Sequence, residues 1–95
     1  MKLLWIVADA ARLEDVKRTL REHAAPGWTV APVIEGAGRT GVHRADRVHP
    51  GGLVNVFCVA EEEAATSLFE AVARERDVAG DLVTKLFLLP VERQA

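Results

Sequence analysis

Four apolar runs along the chain predict β-strands. Residues 3–8 and 53–60 are short, continuous and rich in Val, Ile and aromatic side chains, a pattern typical of buried strands. Residues 28–34 contain Pro32, which favours an edge strand because proline cannot donate a hydrogen bond to a neighbouring strand. Residues 82–91 predict a last strand. We expect the run at 53–60 to lie in the centre of a sheet.

Two segments between these runs have the periodicity of amphipathic helices. From residue 12 to residue 23, apolar side chains recur every three or four positions and charged side chains occupy the other face. The second segment begins at Glu61-Glu62-Glu63 and continues to about Arg76. Carboxylates are favourable at the positive end of a helix dipole. We therefore interpret the three glutamates as a helix start rather than as a metal site or an acidic site for a partner.

The order of these elements predicts an α+β protein with a ferredoxin-like βαββαβ sandwich. In this fold an antiparallel four-stranded sheet carries two helices on one face, and residues 1–95 form a single domain. Since side chains alternate along a strand, the strands have too many apolar residues for the helix-covered face alone. The residues concerned are Ile6, Ala8, Val54, Val56, Cys58 and Phe87. We expect an apolar outer face that is buried in a closed homo-oligomer.

The long loop at residues 36–52 is the most unusual part of the chain. Connections in compact domains have about 4 to 6 residues, so a loop of this length indicates a functional segment. It holds five of the seven glycines, two of the three histidines and three arginines. A permissive backbone with cationic side chains suits an anionic ligand or an acidic partner.

Composition narrows the classes of function. A chain of 95 residues with 49% hydrophobic and 27% charged residues is a folded, soluble domain that oligomerisation would stabilise. The net charge of -2 argues against a nucleic-acid binder. Cys58 is the only cysteine, which excludes an intrachain disulfide and fits a reducing compartment. The first apolar run ends at Asp9, too early for a signal peptide or a membrane span, so we expect a cytoplasmic protein without direct membrane insertion.

Three motifs in register resemble the PII signal-transduction family. That family has a Leu-Glu-Asp-Val-Lys helix, a Gly-x-Thr-Val strand entry and a Gly-x-Gly-Arg-Gln-x-Gly loop base in the same order. The counterparts here are Leu13-Glu14-Asp15-Val16-Lys17, Gly27-Trp28-Thr29-Val30 and Gly36-Ala37-Gly38-Arg39-Thr40-Gly41. The similarity covers residues 1–41, and beyond the loop it rests mainly on the order of the elements.

The resemblance implies a PII-like homotrimer that regulates another protein and is not an enzyme. A small anionic effector would bind at clefts between subunits and change the state of loop 36–52, which contacts the target. ATP, ADP or AMP, with or without Mg²⁺, and bicarbonate are the candidate effectors. A transporter or an enzyme is the candidate target.

The resemblance also assigns site residues. Thr29 would lie near an adenine, while the loop base and a lysine before the last strand would border phosphates. The predicted effector-binding residues are Thr29, Gly36, Gly38, Arg39, Thr40, Gly41 and Lys85. The predicted partner-binding residues of the loop are Arg44, Arg47 and His49.

Several features depart from the family pattern. The family's Gly-Asp-Gly-Lys turn is replaced by Gly80-Asp81-Leu82-Val83-Thr84-Lys85, which has side chains where a close backbone approach favours glycine. The loop is shorter than in the nitrogen-regulating members. The chain has no tyrosine, so control by tyrosine modification is excluded. These differences indicate a divergent, short-loop branch.

Two alternatives remain at this point. His43, Asp46 and His49 recur at three-residue intervals and are suitable ligands for zinc, nickel or copper. They would make the chain a metal-binding or metal-tolerance protein on the same trimeric scaffold. The other alternative is a purely structural trimer. A catalytic protein is not expected, because no set of residues has assignable catalytic roles.

Overall fold

The computed structural model describes residues 1–33 and 52–95, together with the backbone of residues 36–38 and 41–43. Within these ranges, strands and helices alternate in the predicted order, with one short hairpin added. The strands are β1 (Lys2–Asp9), β2 (Thr29–Val33), β3 (Gly36–Gly38), β4 (Gly41–His43), β5 (Leu53–Ala60) and β6 (Lys85–Pro90), and the helices are α1 (Leu13–Glu22) and α2 (Glu62–Val78).

The main sheet has the strand order β2-β5-β1-β6, and all its neighbouring strands are antiparallel. This arrangement confirms the ferredoxin-like βαββαβ fold. It also confirms that β5 is central and that β2, which contains Pro32, is an edge strand. The start of the long loop differs from the prediction, because β3 and β4 pair as a small separate ladder in which Gly38 lies opposite Gly41.

Acidic side chains mark the segments where the two helices begin. The Asp9 side chain accepts a hydrogen bond from the backbone N–H of Ala11 at 2.9 Å and caps a 3-10 turn, Ala10–Arg12, which leads into α1. Glu62 and Glu63 occupy the first turn of α2, as predicted for carboxylates at a helix start. The α2 helix ends in a Schellman motif, in which the N–H of Asp81 donates to the carbonyl of Arg76.

The core lies between the sheet and the helices. In the register between β1 and β5, Ile6 pairs with Val56 and Ala8 pairs with Val54, so these side chains share one face. The buried residues of the core are Leu4, Ile6, Ala8, Val16, Leu20, Val54, Val56, Cys58, Ala60, Ala65, Leu68 and Val72. The six residues named from the sequence cannot all face the helices, as expected, because Phe87 lies on the opposite face. The other five, Ile6, Ala8, Val54, Val56 and Cys58, do face the helices. They fit because small and branched side chains fill the layer.

The opposite face of the sheet is nevertheless apolar, through other residues. Trp5 pairs with Phe57 on one side and with Phe87 on the other, so three aromatic rings form a row across the sheet. The centroid of Trp5 lies 6.0 Å from that of Phe57 and 5.2 Å from that of Phe87. Leu3, Val7, Val59 and Leu89 share this face by register. We call this side of the sheet the outer face.

Burial accounts for the state of the single thiol. Cys58 is buried in the core, where burial raises the pKa of its thiol, while a hydrogen bond with the Gly27 backbone opposes the change. The side chain therefore packs as a small apolar group, as the sequence predicts.

Among the described residues, no helix is long and apolar enough to cross a membrane.

Candidate functional site

Lys85 and Thr29 lie at opposite edges of the main sheet. Lys85 is the first residue of β6, and Thr29 is the first residue of β2. Both are exposed. Lys85 pairs with Val7, and Thr29 pairs with Phe57, so both residues belong to the outer face. The fold thus leaves both predicted effector-binding side chains accessible but separates them.

The surface between Thr29 and Lys85 is too wide and too apolar for one small anion to contact both side chains within one chain. Two strands lie between β2 and β6, which places the edge strands about 14 Å apart at the usual strand spacing. The rings of Phe57 and Trp5 lie across the sheet between them. A charged ligand spanning this surface would lose hydration over apolar rings. Lys85 and Thr29 can meet at one compact site when two chains place these edges together.

The turn before Lys85 is built on the Asp81 carboxylate. Gly80 ends α2 with a φ of +68°, a conformation that favours glycine. Asp81 Oδ1 then accepts the backbone N–H groups of Val83 at 2.8 Å and Thr84 at 3.1 Å, while Oδ2 accepts the Thr84 hydroxyl. The Thr84 residue is buried. The chain therefore enters β6 at Lys85 from a turn that these three hydrogen bonds hold together.

Arg12 ties this turn to both helices. Its guanidinium contacts Asp15 in α1, Glu75 in α2 and Asp81, with 3.4 Å between Arg12 Nε and Asp81 Oδ2. We call these four residues the Arg12 cluster. The hydrogen bond to Glu75 raises the pKa of Arg12 further above its already high ordinary value, against the effect of burial. The guanidinium therefore stays charged and joins three separate elements.

Opposing effects act on the buried carboxylate of this cluster. The Asp81 side chain is 7% exposed, and this burial disfavours its charged form. Hydrogen bonds from the Thr84 hydroxyl, the Thr84 and Val83 N–H groups and Arg12 outweigh burial and bring the pKa of Asp81 below its ordinary value. Asp81 is thus ionised and fully engaged at neutral pH. Sequence reasoning missed its partnership with Arg12, because the two residues are 69 positions apart.

The remaining predicted residues lie on or beyond the β3–β4 hairpin. Gly36, Gly38 and Gly41 belong to its two strands, and His43 ends the second. The other predicted residues lie outside the described residues: Arg39, Thr40, Arg44, Asp46, Arg47 and His49. Within the ranges that the structure describes, no group of three or more His, Cys, Asp or Glu side chains could hold a metal ion.

A groove between the ends of the helices is separate from the predicted site. It has a volume of about 330 Å³, and its lining includes Thr19, His23, Ala71, Arg74 and Val78. Thr29 and Lys85, the predicted effector-binding residues whose side chains the structure describes, do not line this groove. The groove therefore gives no support to an effector site inside one chain.

Comparison with known proteins gives one family match. The model of the family described as nitrogen regulatory protein P-II matches residues 1–94. No curated protein matches the chain at a significant level.

Solved structures with a similar fold include three of CPII, a PII-like protein from Thiomonas intermedia K12. The first, bound to ADP, AMP and bicarbonate, has a TM-score of 0.72 and 21% identity over 97% of this chain and 88% of that chain. The second, with the same ligands, has a TM-score of 0.70 and 19% identity over 93% and 88%. The third, bound to ADP and bicarbonate, has a TM-score of 0.69 and 20% identity over 97% and 88%. At these identities the likeness establishes the fold.

Proposed function

Because the chain belongs to the nitrogen regulatory protein P-II family, we propose that it is a PII-like regulatory protein that works as a homotrimer. It binds a small anionic effector in clefts between subunits and controls a target protein through loop 36–52. It is a regulator rather than an enzyme, and it acts in the cytoplasm. The observation that carries this proposal is the position of Thr29 and Lys85 on opposite edges of one sheet.

The outer face supports assembly. Soluble monomers rarely expose contiguous apolar patches larger than a few hundred Å². Phe87 is 44% exposed and Val59 is 39% exposed in the single chain, and both belong to the outer face. Proteins of this family are trimeric. A trimer that packs these faces together removes the aromatic row from water and brings the sheet edges of neighbours close.

The cleft then has contributions from two subunits. One subunit supplies Lys85, whose ammonium group attracts an anion, and the next supplies Thr29 from the edge strand β2. The β3–β4 hairpin follows β2 in the chain, so the loop base comes from the same subunit as Thr29. We place Gly36, Gly38, Arg39, Thr40 and Gly41 around the effector. Arg44, Arg47 and His49 then face the target protein.

Adenine nucleotides and bicarbonate are the effectors to test first. The CPII structures with the same fold contain ADP and bicarbonate, and two of them also contain AMP. The cationic Lys85 is suited to any of these anions. To shift the loop, an effector must bind more tightly to one loop state than to the other.

The first experiment measures mass and binding together. Light scattering measures the molar mass of the purified protein in solution. The protein is then titrated calorimetrically with ATP, ADP, AMP and bicarbonate, with and without Mg²⁺. We expect a trimer with one site per subunit and at least about tenfold weaker binding for Lys85→Ala, since a hydrogen bond to a charged group is lost. Lys17→Ala removes the same charge from α1 and serves as the matched control. A monomer would contradict the proposal. So would a trimer that gives no binding heat with any of the ligands.

A second experiment tests whether the cleft is shared. Lys85→Ala and Thr29→Glu each weaken binding in homotrimers under the proposal. Every mixed trimer of the two variants contains one cleft with both native side chains. The two variants are co-expressed with different affinity tags, and trimers that carry both tags are purified. We expect binding to be restored in these mixed trimers. Mixed trimers without recovered binding would place the site within a single subunit.

A further inference from the structure

The turn at residues 81–84 has the geometry of an anion-binding site. Two successive N–H groups, those of Val83 and Thr84, point to one oxygen atom, and Arg12 approaches the other oxygen of the same carboxylate. Consecutive backbone N–H groups together with a guanidinium are the donors with which proteins bind phosphate and other external anions. In this chain they bind the carboxylate of Asp81.

The site is therefore already filled by the chain itself. The Asp81 side chain is 7% exposed and receives hydrogen bonds from two amides, a hydroxyl and a guanidinium. A phosphate at the same place would have to displace the carboxylate of Asp81, which would lose its four hydrogen-bond donors. A phosphate beside it would meet a like charge at short range.

We propose that Asp81 is a specificity-determining residue: its carboxylate closes the turn before Lys85 to phosphate groups. The inference rests on the proposed function, since it takes Lys85 as an effector contact. With the Val83 and Thr84 amides unavailable, this turn offers an effector the single cation of Lys85. At this turn the effector therefore needs only one anionic group, as in a nucleoside monophosphate or bicarbonate, and further phosphates gain little from it.

Backbone amide signals test the closed turn without any nucleotide. Inorganic pyrophosphate is titrated into the isotope-labelled trimer, and the Val83 and Thr84 amides are followed by NMR. In the native protein we expect these two signals to stay unmoved. In Asp81→Ala, where the donors are free, both signals should shift saturably. In Asp81→Asn they should stay unmoved, because the amide oxygen still accepts both hydrogen bonds.

Asp77→Ala is the matched control, since it removes a carboxylate that is 68% exposed and lies four positions earlier. It should behave like the native protein. Saturable shifts of the Val83 and Thr84 amides in the native protein would overturn the inference. A folded Asp81→Ala protein whose Val83 and Thr84 amide signals do not shift with pyrophosphate would also overturn it. If Asp81→Ala does not fold, the pyrophosphate titrations of the native protein and of Asp81→Asn test the inference.

Calorimetry separates failure of this inference from failure of the proposed function. Two extra hydrogen bonds to a charged phosphate would raise affinity by more than about tenfold, so we expect ATP and AMP to bind the native protein within about tenfold of each other. A larger preference for ATP, with shifted amides, would overturn this inference and leave the proposed function standing. No binding of any nucleotide or of bicarbonate would overturn the proposed function and, with it, the role of Asp81 in selectivity.

Discussion

The indole N–H of Trp5 donates a hydrogen bond to the side-chain oxygen of Asn55, with 2.8 Å between Nε1 and Oδ1. Both residues lie on the outer face, where the rings of Phe57 and Phe87 pack beside Trp5. The hydrogen bond therefore satisfies a polar group inside an apolar surface. It also sets the orientation of the ring that occupies the middle of the row.

Removing the acceptor should destabilise the assembled protein. We expect Asn55→Leu to lower the free energy of unfolding by about 1 to 3 kcal/mol, because the indole N–H is left unpaired in a desolvated face. Trp5→Phe combined with Asn55→Leu should cost less than the sum of the two single changes, because the double variant has neither donor nor acceptor. Urea unfolding of the three variants measures this coupling. Strictly additive costs would show that the hydrogen bond contributes nothing.

A charge on the outer face should prevent assembly. Phe87→Glu places a carboxylate beside Trp5, and burying it in a subunit interface is unfavourable without a partner. We expect light scattering to report a monomer. Val78→Glu adds the same charge at an apolar residue that is 85% exposed at the end of α2, and its mass should equal that of the native protein. A trimer of Phe87→Glu would show that another surface holds the subunits together.

Loss of the central cation of the Arg12 cluster should destabilise the fold. Arg12→Ala leaves Glu75 and the nearly buried Asp81 without their shared partner, and we expect a loss of about 1 to 3 kcal/mol in chemical unfolding. Lys17→Ala breaks a surface pair with Glu14, 3.0 Å apart, and should change stability by less than about 0.5 kcal/mol. Equal effects of the two changes would mean that Arg12 is an ordinary surface residue.

The lowered pKa of Asp81 predicts how stability depends on pH. A carboxylate whose folded-state pKa is below its unfolded value stabilises the fold above the unfolded pKa, which is about 3.9 for aspartate. This contribution is lost as the pH falls through the folded-state pKa. Unfolding midpoints measured from neutral to acidic pH should therefore decline below about pH 4. The difference in stability between the native protein and Asp81→Asn should be constant around neutral pH and should decrease in acid. A parallel decline in both proteins would contradict this assignment.

Gly80 and Gly27 should respond differently to substitution by alanine. Gly80 has a φ of +68°, so Gly80→Ala should cost about 1 to 2 kcal/mol of stability through backbone strain. A Cβ at Gly27 would meet nothing within 4 Å, and its φ is not in the left-handed region. Gly27→Ala should therefore be neutral or slightly stabilising. Thermal unfolding midpoints compare the two, and a stable Gly80→Ala protein would show that the turn can change its conformation.

Much of the fold follows from local patterns in the sequence. The apolar runs and the helical periodicity predict every element of the main sandwich, because burial on one face imposes a repeat on nearby residues. Pro32 identifies an edge strand, since a central strand needs its N–H. The motifs around Val16, Thr29 and Gly38 indicate the family for the same reason, because they are short and contiguous.

Other features depend on pairings between distant parts of the chain. The register of β1 with β5 decides that Ile6 and Val56 face the helices and that Trp5 and Phe57 do not, and a shift of one residue would reverse this. The Arg12 cluster joins residues 63 and 69 positions apart, which leaves no local signal. Strand order places Thr29 and Lys85 on opposite edges. The sequence by itself determined the elements, the fold class and the family, because these arise from neighbouring residues, whereas tertiary structure decided which faces, charges and edges meet.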